Sequence, residues 1–260
     1  MRKLSLVLGA AVILVAGLEA ASFANGGFKS VDFPTSGGIQ GRADIYASKN
    51  QSATLILLFH QAGWSRGEYR EIAPKLVKRG YRVMAVDQRS GGAVNGVQNE
   101  THHRATRMGL ARSYLDAYVD MEAALSYARR ELDAKRVIVW GSSYSASLVF
   151  RLAAEHPEGI VAVMAFAPGE YFKKDKGPDY IEGFARRAKQ PVFVTSSKTE
   201  REQVKPIFDA APAEKKILFT PASKGQHGSR ALWAKWGDDD VYWTAVNGFL
   251  EQYAPPAPPN

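Results

Sequence analysis

The sequence contains no cysteine. A cysteine nucleophile, a thiolate metal site, a thiol redox couple and a disulfide framework are therefore excluded, and stability must come from the core. A long run of like charge is also missing. The 34 Lys and Arg outnumber the 26 Asp and Glu, for a formal net charge of +8. Yet the basic residues gather only into short groups, Lys173, Lys174 and Lys176 in one and Arg186, Arg187 and Lys189 in another. Nucleic-acid binding calls for a basic stripe with aromatic or groove-reading elements, and none is present. The excess reads as a solvated basic surface, biased toward anionic substrates or envelope surfaces. Internal repeats and dividing linkers are lacking too.

One apolar run stands out. Arg2 and Lys3 precede an almost wholly apolar stretch, residues 4–18, and Ser22-Phe23-Ala24 then fits a small-x-small cleavage site. This pattern predicts a secretory signal peptide over residues 1–24, cut after Ala24. The run is short for a membrane span of roughly 20 residues, so no stable membrane anchor is expected. The mature protein is expected in the periplasm or outside the cell.

The full sequence is 45% hydrophobic and 23% charged, enough for the chain to bury a sizeable core. A single domain is expected over residues 25–253, followed by a loose Pro-rich tail, 254–260. Residues 28–33 and 41–47, joined by a Gly-rich turn, read as an antiparallel hairpin. Continuous apolar runs at 54–60, 81–86, 136–140, 160–166, 191–195 and 215–220 read as strands buried on both faces. Helical patterns cover 68–79, 113–131, 143–156, 179–189, 200–210 and 229–253, the last broken near Gly237. Residues 87–112 read as a polar, irregular loop. Alternating strands and helices predict an α/β fold: a mostly parallel central sheet with helices on both faces, no large cap domain, and ligands at the carboxyl ends of the strands. A monomer is the expected state.

The strongest local motif is VIVWGSSYSA, residues 137–146. A buried strand enters a tight turn and a helix of small residues, the setting of a nucleophile elbow, G-x-S-x-G. Such a turn strains its central residue, Ser143, and needs small neighbours two positions to either side. Gly141 meets that need. Ser145 stands where glycine is usual but is still small. Ser143 is the expected nucleophile, and the backbone N–H of Tyr144 is a candidate oxyanion donor. The strand end FHQAGW, residues 59–64, is expected to supply the second donor from Gln61 or Ala62, with His60 structural beneath it.

A nucleophilic serine needs a base. Among His60, His102, His103, His156 and His227, the last is best placed, in a Gly-flanked loop between the final strand and final helix. An acid should lie between Ser143 and His227 in chain order. Glu200, after the fifth buried strand, is preferred. Glu170, after the fourth, is the rival, and Glu202 a minor third option.

Together these segments, HQAG at 60–63, G-S-S-Y-S at 141–145 and QHG at 226–228, resemble the α/β-hydrolase superfamily, nearest to its dienelactone-hydrolase-like and small serine esterase branch. The likeness extends to the strand-then-acid element at 191–200, which favours Glu200, although the family more often has Asp there. It also extends to the structural strand-Asp-x-Arg turn at 81–89. Dienelactone hydrolases proper use a cysteine nucleophile, so the likeness is one of fold rather than of substrate. It implies acyl transfer to water through a Ser143–His227–Glu200 triad, on a small-molecule ester, with no metal or organic cofactor. A serine peptidase or amidase, or a non-catalytic binding protein, are the alternatives. Trp64, His102 and His103 are candidate pocket residues, and an open cleft is expected.

Overall fold

A computed structural model describes residues 27–47 and 54–258. The signal peptide expected over residues 1–24 lies outside them. The chain opens with β1 (Phe28–Pro34) and β2 (Gln40–Tyr46), an antiparallel pair whose turn uses Gly37 and Gly38 at positive φ. There follow β3 (Thr54–Phe59), a 3-10 turn (Arg66–Tyr69), α1 (Ile72–Lys78), β4 (Arg82–Asp87), β5 (Ala93–Val94), β6 (Val97–Gln98), α2 (Glu100–Arg107) and α3 (Tyr118–Arg130). Next come β7 (Arg136–Ser142), α4 (Tyr144–Glu155), β8 (Ile160–Phe166), α5 (Lys173–Lys176), α6 (Tyr180–Ala185), β9 (Val192–Thr195), α7 (Arg201–Ala210) and β10 (Lys216–Phe219). Two 3-10 turns (Gly228–Leu232 and Ala234–Trp236) lead into α8 (Asp239–Tyr253).

Eight strands form one sheet in the order β1-β2-β4-β3-β7-β8-β9-β10. β2 runs antiparallel to β1 and β4, and the pairs from β4 to β10 are parallel. Strand β3 shows why both faces are covered. Its six residues are all buried, and side chains alternate across a strand. Leu55, Leu57 and Phe59 join one core with Met121 of α3, Leu148 of α4 and Ile207 of α7. Ile56 and Leu58 join the other with Leu76 of α1 and Phe249 of α8. Each such large apolar side chain contributes about 1.5–3 kcal/mol on burial.

The strand order places the site. After β3 the chain adds β4 on one side, and β7 then joins β3 on the other. That reversal opens a crevice beyond the carboxyl ends of β3 and β7, where a ligand can reach the loops after Phe59 and Ser142. No large cap intervenes: between β8 and β9 the chain forms only the short helices α5 and α6.

Several expectations need correction. Residues 87–112 are not irregular: they hold the β5–β6 hairpin and α2, whose N-terminus is capped by Asn99 Oδ1 accepting from His102 N–H at 2.8 Å. Only Thr101 and Ala105 of α2 are buried, so it carries no apolar period to read. The helix expected over 113–131 begins at Tyr118, and the one expected over 229–253 is α only from Asp239. The tail is not loose where it is described. Ala254 is buried, its carbonyl accepts from the Tyr81 hydroxyl at 2.9 Å, and Ala257 N–H donates to Thr54 Oγ1 at 3.1 Å. Among the described residues, no helix is long and apolar enough to cross a membrane.

Candidate active site

β7 ends at Ser142 and α4 begins at Tyr144, so Ser143 must turn the chain alone. It does so at φ 58° and ψ −121°, a strained conformation for a residue with a side chain. A Cβ on Gly141 would lie 2.3 Å from the Ser145 carbonyl oxygen, so only glycine fits there. Ser145 fits in place of the second glycine because its hydroxyl is fully engaged. It donates to the His60 carbonyl at 2.7 Å and accepts from Gln88 Nε2 at 2.6 Å. Ser143 N–H donates to the Phe166 carbonyl at 2.8 Å, which ties the turn to β8. The residue is 7% exposed, at the mouth of the strand-end crevice.

The loop after β10 comes back against this turn. A Cβ on Gly228, at φ 69°, would lie 2.4 Å from Ser142 Oγ, and Ser229 N–H donates to that oxygen at 2.9 Å. The neighbouring His227 is thereby held beside the turn. Its Nδ1 meets Glu200 Oε1 at 2.5 Å. Glu200 closes the short turn after β9, where its Oε2 accepts from Ser197 Oγ at 2.7 Å and from Ser197 N–H at 3.1 Å. Burial opposes the charge on Glu200, but hydrogen bonds from His227 and Ser197 outweigh it and hold the carboxyl at about 2. With Nδ1–H directed to Glu200, Nε2 is the nitrogen left to take a proton. Among the described residues Ser143 forms no hydrogen bond with His227. Its side chain lies near the Tyr171 hydroxyl, which donates to the Ala167 carbonyl at 2.8 Å and accepts from Gln203 Nε2 at 3.1 Å. Contacts of this kind commonly tighten only with substrate bound.

The oxyanion side separates the two candidates that the sequence left open. Gln61 N–H donates to Glu68 Oε2 at 2.8 Å and so is not free. The Gln61 carbonyl accepts from His60 Nδ1–H at 2.8 Å and from Trp64 N–H at 3.3 Å. Because the peptide is planar and trans, Ala62 N–H points the opposite way. The N–H groups of Ala62 and Tyr144 have no partner among the described residues. Beneath them His60 is fully buried, and desolvation lowers it to about 4. Its Nε2 accepts from Gln88 N–H at 3.1 Å, so it is a neutral structural group.

The structure does not join the other predicted residues to this cluster. Glu170 caps α6, accepting from Ile181 N–H at 2.9 Å and Glu182 N–H at 2.8 Å, and so does not pair with His227. Trp64 stacks on Trp233 with ring centroids 5.2 Å apart. His102 Nδ1 bonds the Arg89 carbonyl at 2.8 Å, and His103 is exposed on α2 beside Gln98. Tyr171 and Gln203, which the sequence did not single out, instead line a groove of about 390 Å³ with Lys173, Lys174 and Pro206. No apolar period or motif marked them.

The sequence matches the family described as "Serine aminopeptidase, S33" over residues 50–229, which includes Ser143, Glu200 and His227. No curated protein shows significant similarity to the chain. Among solved structures, an esterase of Pyrococcus furiosus superposes with a TM-score of 0.66 at 20% identity, covering 87% of this chain and 92% of that one. A dienelactone hydrolase from Anabaena variabilis gives 0.66 at 16% identity, covering 87% and 97%. A proline iminopeptidase from Mycobacterium smegmatis gives 0.61 at 14% identity, covering 86% and 98%. At such identities the structural likeness is one of fold, and the family is established by the sequence match: the chain belongs to the S33 serine-aminopeptidase family of α/β hydrolases.

Proposed function

We propose that the protein is an exported serine esterase that cleaves small carboxylic esters through Ser143, His227 and Glu200. The observation that carries this reading is the His227–Glu200 pair, held by a loop that packs on the strained Ser143 turn. Ser143 Oγ attacks the ester carbonyl carbon while His227 Nε2 takes its proton. Glu200 stabilises the resulting imidazolium. The oxyanion accepts hydrogen bonds from the N–H groups of Ala62 and Tyr144. Collapse of the intermediate breaks the C–O bond, and the departing alkoxide takes the proton from His227. Water then loses a proton to His227 as it attacks the acyl-Ser143 carbonyl. The carboxylic acid leaves and Ser143 regains its proton.

A peptidase reading comes from the family's description, and one observation weighs against an aminopeptidase. Among the described residues, both carboxylates that line the groove beside Tyr171 are already engaged and are not free to receive a substrate ammonium. Glu170 caps α6 and Glu182 pairs with Arg186 at 3.2 Å, whereas Lys173 and Lys174 are exposed and form no ion pair among the described residues. The proposed substrates are therefore neutral or anionic esters, turned over by a monomer in the periplasm or outside the cell. Nitrophenyl esters of increasing chain length, assayed beside aminoacyl anilides, test this. Ester turnover that Ser143→Ala abolishes is expected, and anilide turnover without ester turnover overturns it. Sequencing the exported protein's N-terminus tests the cleavage site, with Asn25 expected first.

A further inference from the structure

Glu68 is 0% exposed, and among the described residues it forms no ion pair with a basic side chain. Burial of a carboxyl without a close ion pair is costly, and it pushes this one up to about 7 against the hydrogen bonds from Ser142 and Gln61 and the charge of Arg230. An apolar side chain of similar volume would fill the same space without that cost. What Glu68 supplies instead is a pair of acceptors. Oε2 takes Gln61 N–H at 2.8 Å, and Oε1 takes the Ser142 hydroxyl at 2.7 Å. Ser142 Oγ in turn accepts Ser229 N–H at 2.9 Å. The three segments so joined each adjoin a group of the proposed reaction: Gln61 precedes Ala62, Ser142 precedes Ser143, and Ser229 follows closely on His227. The turn that carries Glu68 is itself fixed. Arg66 N–H donates to Asp87 Oδ1 at 2.8 Å, its guanidinium pairs with Asp87 and Asp44, and the Glu68 carbonyl accepts from Trp233 Nε1 at 2.9 Å.

We infer that Glu68 is a positioning residue, which holds the oxyanion loop, the nucleophile turn and the histidine loop in register through Gln61 and Ser142. This rests on the hydrolytic reading of Ser143 and His227. The N–H of Gln61 fixes the peptide plane before it, and the bonds to its carbonyl fix the plane after it, so the direction of Ala62 N–H is set from both sides. Ser142 transmits the same anchor to the backbone at Ser229, against which Gly228 can approach only because it lacks a side chain.

The test compares Glu68→Gln with Glu68→Leu in the full chain. The thermal midpoint of each protein is determined first, and nitrophenyl acetate turnover and the rate of fluorophosphonate labelling are then measured well below it. The amide of Gln can accept Gln61 N–H and donate to Ser142 Oγ, so kcat is expected to stay within about threefold of the wild type. Leu keeps the volume but neither bond. Its kcat and labelling rate are expected to fall about 10- to 100-fold, with KM little changed. A folded Leu variant with undiminished kcat overturns the inference, as does a Gln variant as slow as Leu. Should Leu fail to fold, Ser142→Ala cuts the same strut from the other end. A loss of about tenfold in kcat at constant KM is expected there, and unchanged kcat overturns the inference. Failure of the underlying hydrolytic reading shows separately, as wild-type protein that takes no label.

Discussion

On one side of the Ser143 turn lies Glu200, on the other Glu68, and their surroundings drive the two carboxyls apart. Glu200 is partly exposed, receives His227 and Ser197, and is held at about 2. Glu68 is fully buried, receives one backbone N–H and one hydroxyl, and is pushed up to about 7. The difference follows from solvent and partners, since both are glutamates at short 3-10 turns. A group that stays charged throughout the working range suits the stabilisation of an imidazolium. A group near its titration point inside the core suits holding loops by hydrogen bonds, because a carboxylic acid can keep much of the same network. The acid side of the site is thus built from side chains, and the oxyanion side from backbone held by side chains behind it.

The largest effect expected from breaking this contrast is at Glu200. Glu200→Gln leaves the shape but removes the charge facing Nδ1, and kcat on nitrophenyl esters should fall about 10³- to 10⁴-fold. The same change at the rival acid, Glu170→Gln, should leave kcat within about twofold, because that carboxylate caps α6 and does not meet His227. Equal losses from both would remove the distinction between them.

The next effect is on stability against pH. Glu68 has a folded pKa raised from 4.5 to about 7, so its burial is favourable below 4.5 and becomes a penalty as pH rises through 7. Glu68→Gln carries no such penalty. Denaturant titrations should show the wild type losing on the order of 3 kcal/mol relative to the variant between pH 4.5 and 8. Glu200 has the opposite sign. Its contribution is present above about 4.5 and fades as pH falls toward 2, so Glu200→Gln should be less stable than the wild type at pH 6 and converge with it in acid. Parallel curves for either pair would contradict the environments described here.

Glu170→Gln should further cost about 1 kcal/mol of stability through the weakened cap, read from the same titrations. The smallest effect is at Ser145. Ser145→Gly restores the more usual motif but removes bonds to His60 and Gln88, and it should lower stability by about 1 kcal/mol while kcat changes little.

These contrasts also explain what was readable in the sequence. The Ser143 turn was legible because a strand, a tight turn and a helix lie within ten residues, and each leaves a local signature. The His227–Glu200 contact was approachable from sequence because each residue follows an apolar run that marks a strand end, although only β9 is buried: β10, expected to be buried on both faces, is half-buried throughout at the sheet edge. The choice between Gln61 and Ala62 was not, because it turns on Glu68, a tertiary contact with no pattern of its own. Glu68 reads from sequence as the start of a helix. Tyr171 sits in a short segment with no periodic signal, and α2 hides because its buried positions are only Thr101 and Ala105.

The central claim is that Ser143 is an activated nucleophile. Fluorophosphonate treatment of the purified mature protein, followed by intact mass and peptide mapping, tests it most directly. One adduct is predicted, on the peptide that contains Ser143, and it should vanish in Ser143→Ala. Unlabelled wild-type protein, or an adduct on any other residue, would contradict the account.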